Sequence, residues 1–160
     1  MSRRLGSLGA TFLLVVSVAP ASAQDRLLRL TPPDIDGLVQ GGATAGTSGV
    51  AGIRTTILYG DPTKPGPYTI ALQAHPNVRI AAHSHRDERT AVVVAGVWRF
   101  GYGGKADEAL VKTLPPGSFY SEPADVEHFA MTGPEGATVY ITGYGPTSTH
   151  YVQAADRPKP

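Results

Sequence analysis

The sequence predicts an all-β domain built as an antiparallel sandwich or barrel, and three observations support this fold class. First, 19 glycines and 14 prolines among 160 residues punctuate the chain and leave little room for long helices. Second, short runs with the residue preferences of β-strands recur at even spacing. Third, compact turn signals such as Gly60-Asp61-Pro62 and Gly133-Pro134 separate these runs. A helical bundle is therefore excluded.

The amino-acid composition excludes some partners and restricts the residues that could bind a metal. The chain carries 14 Lys and Arg against 13 Asp and Glu, without a basic cluster, so we expect no nucleic-acid partner. The length is that of one globular domain. Because there is no Cys, the fold has no disulfide, and any metal must be bound by residues such as His, Asp or Glu.

The first segment, residues 1–23, has the features of a signal peptide. Arg3 and Arg4 precede an apolar run from Leu8 to Ala19, which is shorter than the roughly 20 residues that span a bilayer. Ala21-Ser22-Ala23 has the small-x-small pattern of a cleavage site. We expect a cut after Ala23, no membrane association afterwards, and a periplasmic or secreted location.

Residues 24–50 are predicted to form a loose N-terminal arm and a flexible linker. Leu27 to Leu30 can form a short strand or arm, and Thr31-Pro32-Pro33-Asp34 can start a helical turn. The glycine-rich stretch from Gly41 to Gly49 is typical of a flexible connector.

Residues 51–153 are predicted to form the barrel, followed by a disordered tail over residues 154–160. One helical turn is expected, over Lys105 to Ala109. The predicted strands are Ile53–Leu58, Tyr68–Gln73, Arg79–His83, Thr90–Ala95, Val97–Tyr102, Leu110–Leu114, Gly117–Glu122, His128–Met131, Thr138–Thr142 and His150–Gln153.

Three histidines form a candidate metal site. His83 and His85 are two residues apart, so in a strand their imidazoles lie on one face. His128, from a neighbouring strand, can complete a set of neutral nitrogen ligands for a divalent transition metal. By itself a His-x-His pair is more often two solvated imidazoles at a strand end, so the surrounding residues must decide.

The surrounding spacing resembles the first sequence motif of the cupin superfamily. That motif is Gly, five residues, His-x-His, three or four residues, Glu, six residues, Gly. Here His83 and His85 match and Gly96 closes the motif, while Asn77 stands at the first Gly position.

The second cupin motif is Gly, five residues, Pro-x-Gly, two residues, His, three residues, Asn. Gly117, Pro123 and His128 match it in register, with Asp125 replacing the second Gly and Thr132 replacing the Asn. More narrowly, the run from Trp98 to Gly103 is similar to small exported bacterial cupins.

The resemblance implies a jelly-roll barrel, the cupin double-stranded β-helix, over most of the mature chain. It also implies a bound divalent metal, with Fe, Mn, Zn and Ni as candidates. Cupin barrels host dioxygenases, isomerases, lyases, epimerases, sensors and storage proteins, so the resemblance implies no single reaction.

The fourth cupin ligand, a Glu, is missing from its expected place. It falls at Arg89, or at Thr90 with the longer spacing, while Glu88 stands one residue early. A bulge after His85 can let Glu88 or Asp87 reach the metal; otherwise three histidines and water hold it. An inward Arg89 suits a substrate carboxylate, and the alternative is an outward salt bridge to Asp87 or to Glu127.

Glu122 stands where cupins usually have an apolar residue, so it is either a buried general base or a residue turned outward at the rim. Trp98, Phe100 and Tyr102 share one strand face, a pattern more typical of a core or dimer interface than of a substrate pocket. His75 and His150 lie outside both motifs and are expected at the surface.

Two classes of function follow. The first is a metal-dependent enzyme with oxygenase, isomerase or lyase chemistry on a small, anionic substrate, using Glu122 and Arg89 as catalytic residues. The alternative is a non-catalytic periplasmic protein that binds a metal or small ligand. We also expect a homodimer, because the strand Thr90–Ala95 is apolar on both faces and one face needs a cover. The arm around Leu27 to Leu30 can supply that cover instead.

Overall fold

The computed structural model describes residues 27–41 and 47–158, so the predicted signal peptide and residues 42–46 of the linker lie outside the described residues. Within these ranges one short helix precedes the sheet, α1 at Pro32–Asp36. The strands are β1 Gln40–Gly41, β2 Ile53–Tyr59, β3 Gly66–Ala74, β4 Arg79–His85, β5 Arg89–Tyr102, β6 Lys112–Leu114, β7 Phe119–Glu122, β8 His128–Gly145 and β9 Thr149–Tyr151.

The strands pair antiparallel and form two sheets that share two long strands. One sheet has the order β1, β2, β3, then the second half of β8, the first half of β5, and β7. The other has the order β9, β4, then the first half of β8, the second half of β5, and β6. The prediction of an all-β antiparallel barrel is confirmed.

The two shared strands correct the sequence prediction. Thr90–Ala95 and Val97–Tyr102 were expected as separate strands but are one strand, β5, and the expected turn at Gly133-Pro134 lies inside β8. Gly96 and Gly136 take φ of 68° and 67° where these strands bend. A Cβ on Gly96 would lie 2.2 Å from the Gly136 carbonyl oxygen. These bends therefore need glycine, and they let each strand pass from one sheet to the other.

Smaller differences concern the connections. Glu108–Leu110 is a 3-10 helix, so β6 begins at Lys112 rather than at Leu110. The expected helical turn at Thr31 is confirmed as α1, where the Asp34 carboxylate accepts hydrogen bonds from the backbone and hydroxyl of Thr31 at 2.7 and 2.6 Å. Ala154–Asp156, in the segment predicted as a tail, form a turn of 3-10 helix, and residues 159–160 lie outside the described residues. Among the described residues no helix is long and apolar enough to cross a membrane.

The space between the sheets is filled unevenly. Aliphatic side chains such as Ile70, Val93 and Val139 are fully buried there and form the main core. The inward side of β5 changes from odd to even positions at the bend, so Val93 and Trp98 both point inward. The ends of β4 and β7 and the start of β5 bring polar side chains to one end of this core.

Apolar side chains on the outer face of the first sheet support the predicted homodimer. Val92 and Phe119 are register partners, and they are 40% and 64% exposed. We expect sedimentation of the purified protein to give a dimer, and we expect Phe119→Glu to give a monomer because a charge there cannot be buried. A wild-type protein that sediments only as a monomer at micromolar concentration would contradict this prediction.

Candidate metal centre

Two short crossovers between the sheets build the site. Residues 86–88 connect β4 to β5, so His85 ends a strand of one sheet and Arg89 begins a strand of the other. Residues 123–127 connect β7 to β8 in the same way, with Glu122 before and His128 after the crossover. Each crossover therefore places a histidine and a charged residue on opposite sides of the same end of the barrel.

Hydrogen bonds fix both crossovers. The buried Asp87 carboxylate accepts from the Tyr68 hydroxyl at 2.7 Å and from the Thr147 hydroxyl at 2.5 Å. The backbone N–H of Asp125 donates to the His85 carbonyl at 2.7 Å and so ties one crossover to the other. These hydrogen bonds therefore hold in place the strand ends that carry the site residues, which are His85, Arg89, Glu122 and His128.

The residues that differ from the cupin motifs still fit the local backbone conformation. Asn77 and Asp125 replace motif glycines, and both keep positive φ, 56° and 60°. Asn and Asp are the non-glycine residues that best tolerate this left-handed region. Thr132 replaces the motif Asn, and its hydroxyl donates to the His75 carbonyl at 2.7 Å and accepts from the Val78 N–H at 2.9 Å. These substitutions are therefore compatible with the fold.

The three predicted histidines converge. Their ring centroids are 4.9 Å apart for His83 and His85, 4.5 Å for His83 and His128, and 5.2 Å for His85 and His128. All three are buried, and one nitrogen of each lies within 4.8 Å of the others. Two ligands of one ion with bonds of about 2.0–2.2 Å lie at most about 4.4 Å apart, so binding needs little movement.

A register shift brings the pair on β4 to the interior. Ile80 packs in the main core, but Ala82 packs in a separate cluster with Phe129 and Met131. Between Ile80 and His83 the pairing with β8 is irregular. This irregularity changes which alternate residues face inward, so both histidines point into the barrel.

Backbone carbonyls set the tautomer of each ring. Nδ1 of His83 donates to the Ala81 carbonyl at 2.8 Å, Nδ1 of His85 to the Ser148 carbonyl at 2.8 Å, and Nδ1 of His128 to the Val126 carbonyl at 2.9 Å. A carbonyl can only accept, so each Nδ1 carries the proton and each neutral ring keeps a lone pair on Nε2. This is the arrangement in which histidines bind metals.

The fit to a metal can be tested on unsatisfied atoms. Nε2 of His85 and Nε2 of His128 are buried and have no hydrogen-bond partner among the residues that the structure describes. Such atoms are costly in a folded protein unless something unseen satisfies them. A divalent transition metal would accept these lone pairs, so the residues present fit the predicted group.

Burial keeps the imidazoles uncharged. Desolvation is the largest effect on all three rings; it lowers the pKa of His83 to about 4 and also lowers the pKa of His85 and His128. The positive charge of Arg89 adds to this effect at His85. The rings therefore remain neutral ligands at neutral pH.

The lowered pKa values predict an acid-sensitive metal-free protein. Above about pH 6.5 these rings are neutral whether folded or unfolded, whereas below it the unfolded chain binds protons that the folded chain does not. The free energy of unfolding should therefore fall as the pH drops from 6.5 towards the His83 value of about 4, by about 1.4 kcal/mol per pH unit for each such ring. Urea unfolding with a chelator at several pH values measures this slope. A flat profile would mean that the rings are solvated.

Glu122 and Arg89 both point inward, as the enzyme hypothesis requires. Each is 3% exposed, and both line the cavity that the three histidines line. Nε of Arg89 donates to Glu122 Oε2 at 2.6 Å, and a terminal guanidinium nitrogen donates to the same oxygen. The alternative of an outward salt bridge from Arg89 to Asp87 or to Glu127 is therefore wrong, and so is a rim position for Glu122.

Glu88 is not at the site. Its side chain is exposed, whereas the three histidines are buried. The bend at Arg86 and Asp87 turns Asp87 inward, where Tyr68 binds it, and the next residue turns outward. Strand parity then brings Arg89 inward again. The expectation that Glu88 or Asp87 reaches the metal is therefore wrong.

The cavity itself is small, about 20 Å³. Trp98 and Phe100 form part of its wall and also belong to the core, and the Phe100 ring stacks on His128 with centroids 5.4 Å apart. Ser48 also lines it, which the sequence did not predict because this residue lies in the linker. His75 and His150 are exposed, as expected.

Comparison with known proteins identifies the fold. No protein-family model matches the sequence, and no curated protein matches it either. Among solved structures, the polyketide cyclase RemF from Streptomyces resistomycificus superimposes with a TM-score of 0.63 at 16% identity, over 82% of this chain and 89% of that one. A cupin-superfamily sugar phosphate isomerase from Silicibacter pomeroyi gives 0.55 at 15% identity, over 70% and 74%.

An RmlC-like cupin from Shewanella frigidimarina gives a TM-score of 0.50 at 19% identity, over 59% of this chain and 78% of that one. These similarities confirm the predicted cupin fold.

Proposed function

We propose that this chain, which has the fold of the cupin superfamily, is an exported metal-dependent enzyme that acts on a small anionic molecule. His83, His85 and His128 would hold the metal through their Nε2 atoms. Fe, Mn, Zn and Ni all accept such ligands, and donor chemistry alone does not choose among them. When bound, the ion would supply a Lewis acid with positions left for substrate.

The observation that carries this proposal is the composition of the cavity wall. Three neutral imidazoles and a buried carboxylate–guanidinium pair line one space. A buried ion pair seldom improves stability over apolar side chains of the same size, so stability alone gives no reason for it. Perturbed ionisable groups that converge in a cavity are typical of functional sites.

We propose that a substrate enters the site from the side of the linker. The inner cavity of about 20 Å³ has room for an ion or one water, because a water needs about 10–15 Å³. Ser48 also lines an open groove of about 470 Å³, together with other residues of the linker and β9 and with Arg157. A groove of this size suits a small molecule, and Arg157 suits an anionic one.

The segment around Ser48 thus borders both the groove and the inner cavity. Its carbonyl accepts a hydrogen bond from the Tyr151 hydroxyl, and the Thr47 carbonyl accepts one from the Thr149 hydroxyl at 2.9 Å. We propose that a substrate in the groove reaches the metal when this segment moves aside.

The second candidate, a non-catalytic metal-binding protein, is favoured by one observation. Side chains leave a free volume of only about 20 Å³ beside the histidines. In this conformation a metal ion fits there, but a metal ion and a substrate together do not. The two candidates differ in whether a small molecule ever shares the cavity with the metal.

Measuring turnover by the metal-loaded protein distinguishes the enzyme from the non-catalytic metal-binding protein. We would load the purified mature chain with each candidate metal and follow dioxygen uptake and substrate loss over a panel of small carboxylic and hydroxy acids. The proposal expects turnover with one metal that is lost in His83→Ala and kept in the exposed-site control His75→Ala. If the protein binds metal stoichiometrically but neither turns over nor binds any member of the panel, the non-catalytic metal-binding function is favoured.

A further inference from the structure

The first residue of β5 and the last residue of β7 carry opposite charges and lie opposite each other in the sheet. Arg89 and Glu122 are register partners, and both guanidinium donors that reach the carboxylate meet one oxygen, Oε2. Neither side chain is accessible to solvent beyond a few per cent. The carboxylate is therefore fixed in position rather than free to rotate.

The same oxygen faces the histidines. Glu122 Oε2 lies 3.8 Å from Nε2 of His128 and 3.9 Å from Nε2 of His85. Since the protons of these rings are on Nδ1, all three facing atoms are hydrogen-bond acceptors. Acceptors directed at one another in a buried space repel, and a cation between them removes the repulsion.

The distances also suit a shared ion. Ligands bonded to one ion at about 2.0–2.2 Å are separated by at most about 4.4 Å, and both oxygen–nitrogen separations fall below that limit. Carboxylate oxygen together with imidazole nitrogen is a common donor set for divalent transition metals.

We infer that Glu122 is the fourth protein ligand of the metal and that Arg89 is a positioning residue that holds its carboxylate; this rests on the metal site proposed above. The cupin motif expects the ligand carboxylate at the place of Arg89. In this chain the residue directly across the sheet supplies it, so the carboxylate has moved from β5 to β7 and an arginine occupies its former place.

This exchange changes the charge of the site and points to the substrate class. Three neutral histidines, one carboxylate and a divalent ion sum to one positive charge, and Arg89 adds a second. The extra charge disfavours the ion itself but favours an anion in an open coordination position. An anionic substrate, such as a carboxylate or an enolate, is therefore the class that this site would bind most strongly.

Cobalt(II) serves as the probe, because its visible spectrum reports coordination. We expect Glu122→Gln to weaken cobalt binding by at least ~100-fold in competition with a chelator, beyond the ~10–100-fold typical of residues that only orient ligands. We also expect its spectrum to change. Glu122→Asp keeps the buried charge but shortens its reach, so it tests the same contact if Glu122→Gln does not fold.

Two further variants define the role of Arg89. Arg89→Lys keeps the charge but not the two-donor contact, and it should weaken cobalt binding by ~10–100-fold while leaving the coordination spectrum recognisable. The exchange Arg89→Glu with Glu122→Arg returns the carboxylate to the strand that the cupin motif expects. This double variant should bind cobalt more tightly than Glu122→Gln.

The outcomes separate the two proposals. If wild-type protein binds no cobalt, both the metal site and the role of Glu122 are wrong. If wild-type protein binds cobalt and His83→Ala abolishes binding, while Glu122→Gln and Glu122→Asp keep wild-type affinity and spectrum, then only the role of Glu122 is wrong.

Discussion

Replacing His128 with alanine should remove the bound metal. This histidine provides one of the three converging imidazole nitrogens, and no other histidine among the described residues belongs to that cluster. We expect metal content to fall from one ion per chain to nearly none by elemental analysis. Because a ligand that binds only the folded state stabilises it, the rise in melting temperature on adding metal should also disappear; for wild-type protein at 100 times Kd this stabilisation is about 2.7 kcal/mol.

The control for this prediction is His75→Ala, the same change at an exposed histidine outside the cluster. It should keep both the metal and the metal-dependent rise in melting temperature. Comparing each protein with and without metal separates lost coordination from lost packing, since the His128 ring also stacks on Phe100. Unchanged metal content in His128→Ala would show that the three histidines do not form the site.

Replacing Arg89 with methionine should be among the most destabilising single changes in the barrel. Desolvation is the largest single effect on the pKa of Glu122 and raises it, but the charge and hydrogen bonds of Arg89 together with the nearby histidines outweigh it, so the pKa lies below its usual value. Without Arg89 a buried carboxylate has lost its cation, and breaking such a pair typically costs about 3–5 kcal/mol. Urea unfolding of the metal-free protein at neutral pH measures the loss.

The matched double variant, Arg89→Met with Glu122→Met, should recover most of that stability, because neither charge is left unpaired. Arg79→Met is the surface control: Arg79 lies 3.8 Å from Glu108 in an exposed pair, and its loss should cost about 1 kcal/mol or less. If Arg89→Met were no more destabilising than Arg79→Met, the pair would not be buried as described.

The histidines could be predicted from the sequence because their signal is local. His83 and His85 lie two residues apart, and the spacing of His128 from Gly117 and Pro123 matches a motif. Strand parity alone predicts that the pair shares a face but not which face. Which face it is depends on the irregular pairing after Ile80, and nothing in the composition of β4 marks that position.

The partner of Arg89 could not be predicted in the same way. Its contact with Glu122 joins residues 33 positions apart and depends on the register between β5 and β7. Both side chains are unusual for their motif positions and were predicted together as catalytic residues, but nothing in the sequence indicated that they contact each other. The place of Ser48 in the cavity wall was even harder to predict, because it depends on where a glycine-rich linker passes over the barrel.

The long strands were divided in the prediction for a related reason. The predicted strands were broken at Gly96 and at the turn signal Gly133-Pro134, but backbone pairing on both sides carries the strands through these positions. A glycine in a strand marks either a turn or a bend, and only the partner strand distinguishes them.

The most direct measurement is a crystal structure of the zinc-loaded protein, with diffraction recorded at the zinc absorption edge. We predict one anomalous peak per chain inside the barrel, about 2.0–2.2 Å from Nε2 of His83, His85 and His128, with Glu122 Oε2 at a similar distance. Absence of a peak among the three histidines, or zinc bound only at the surface, would contradict the assignment of this cluster as the metal centre.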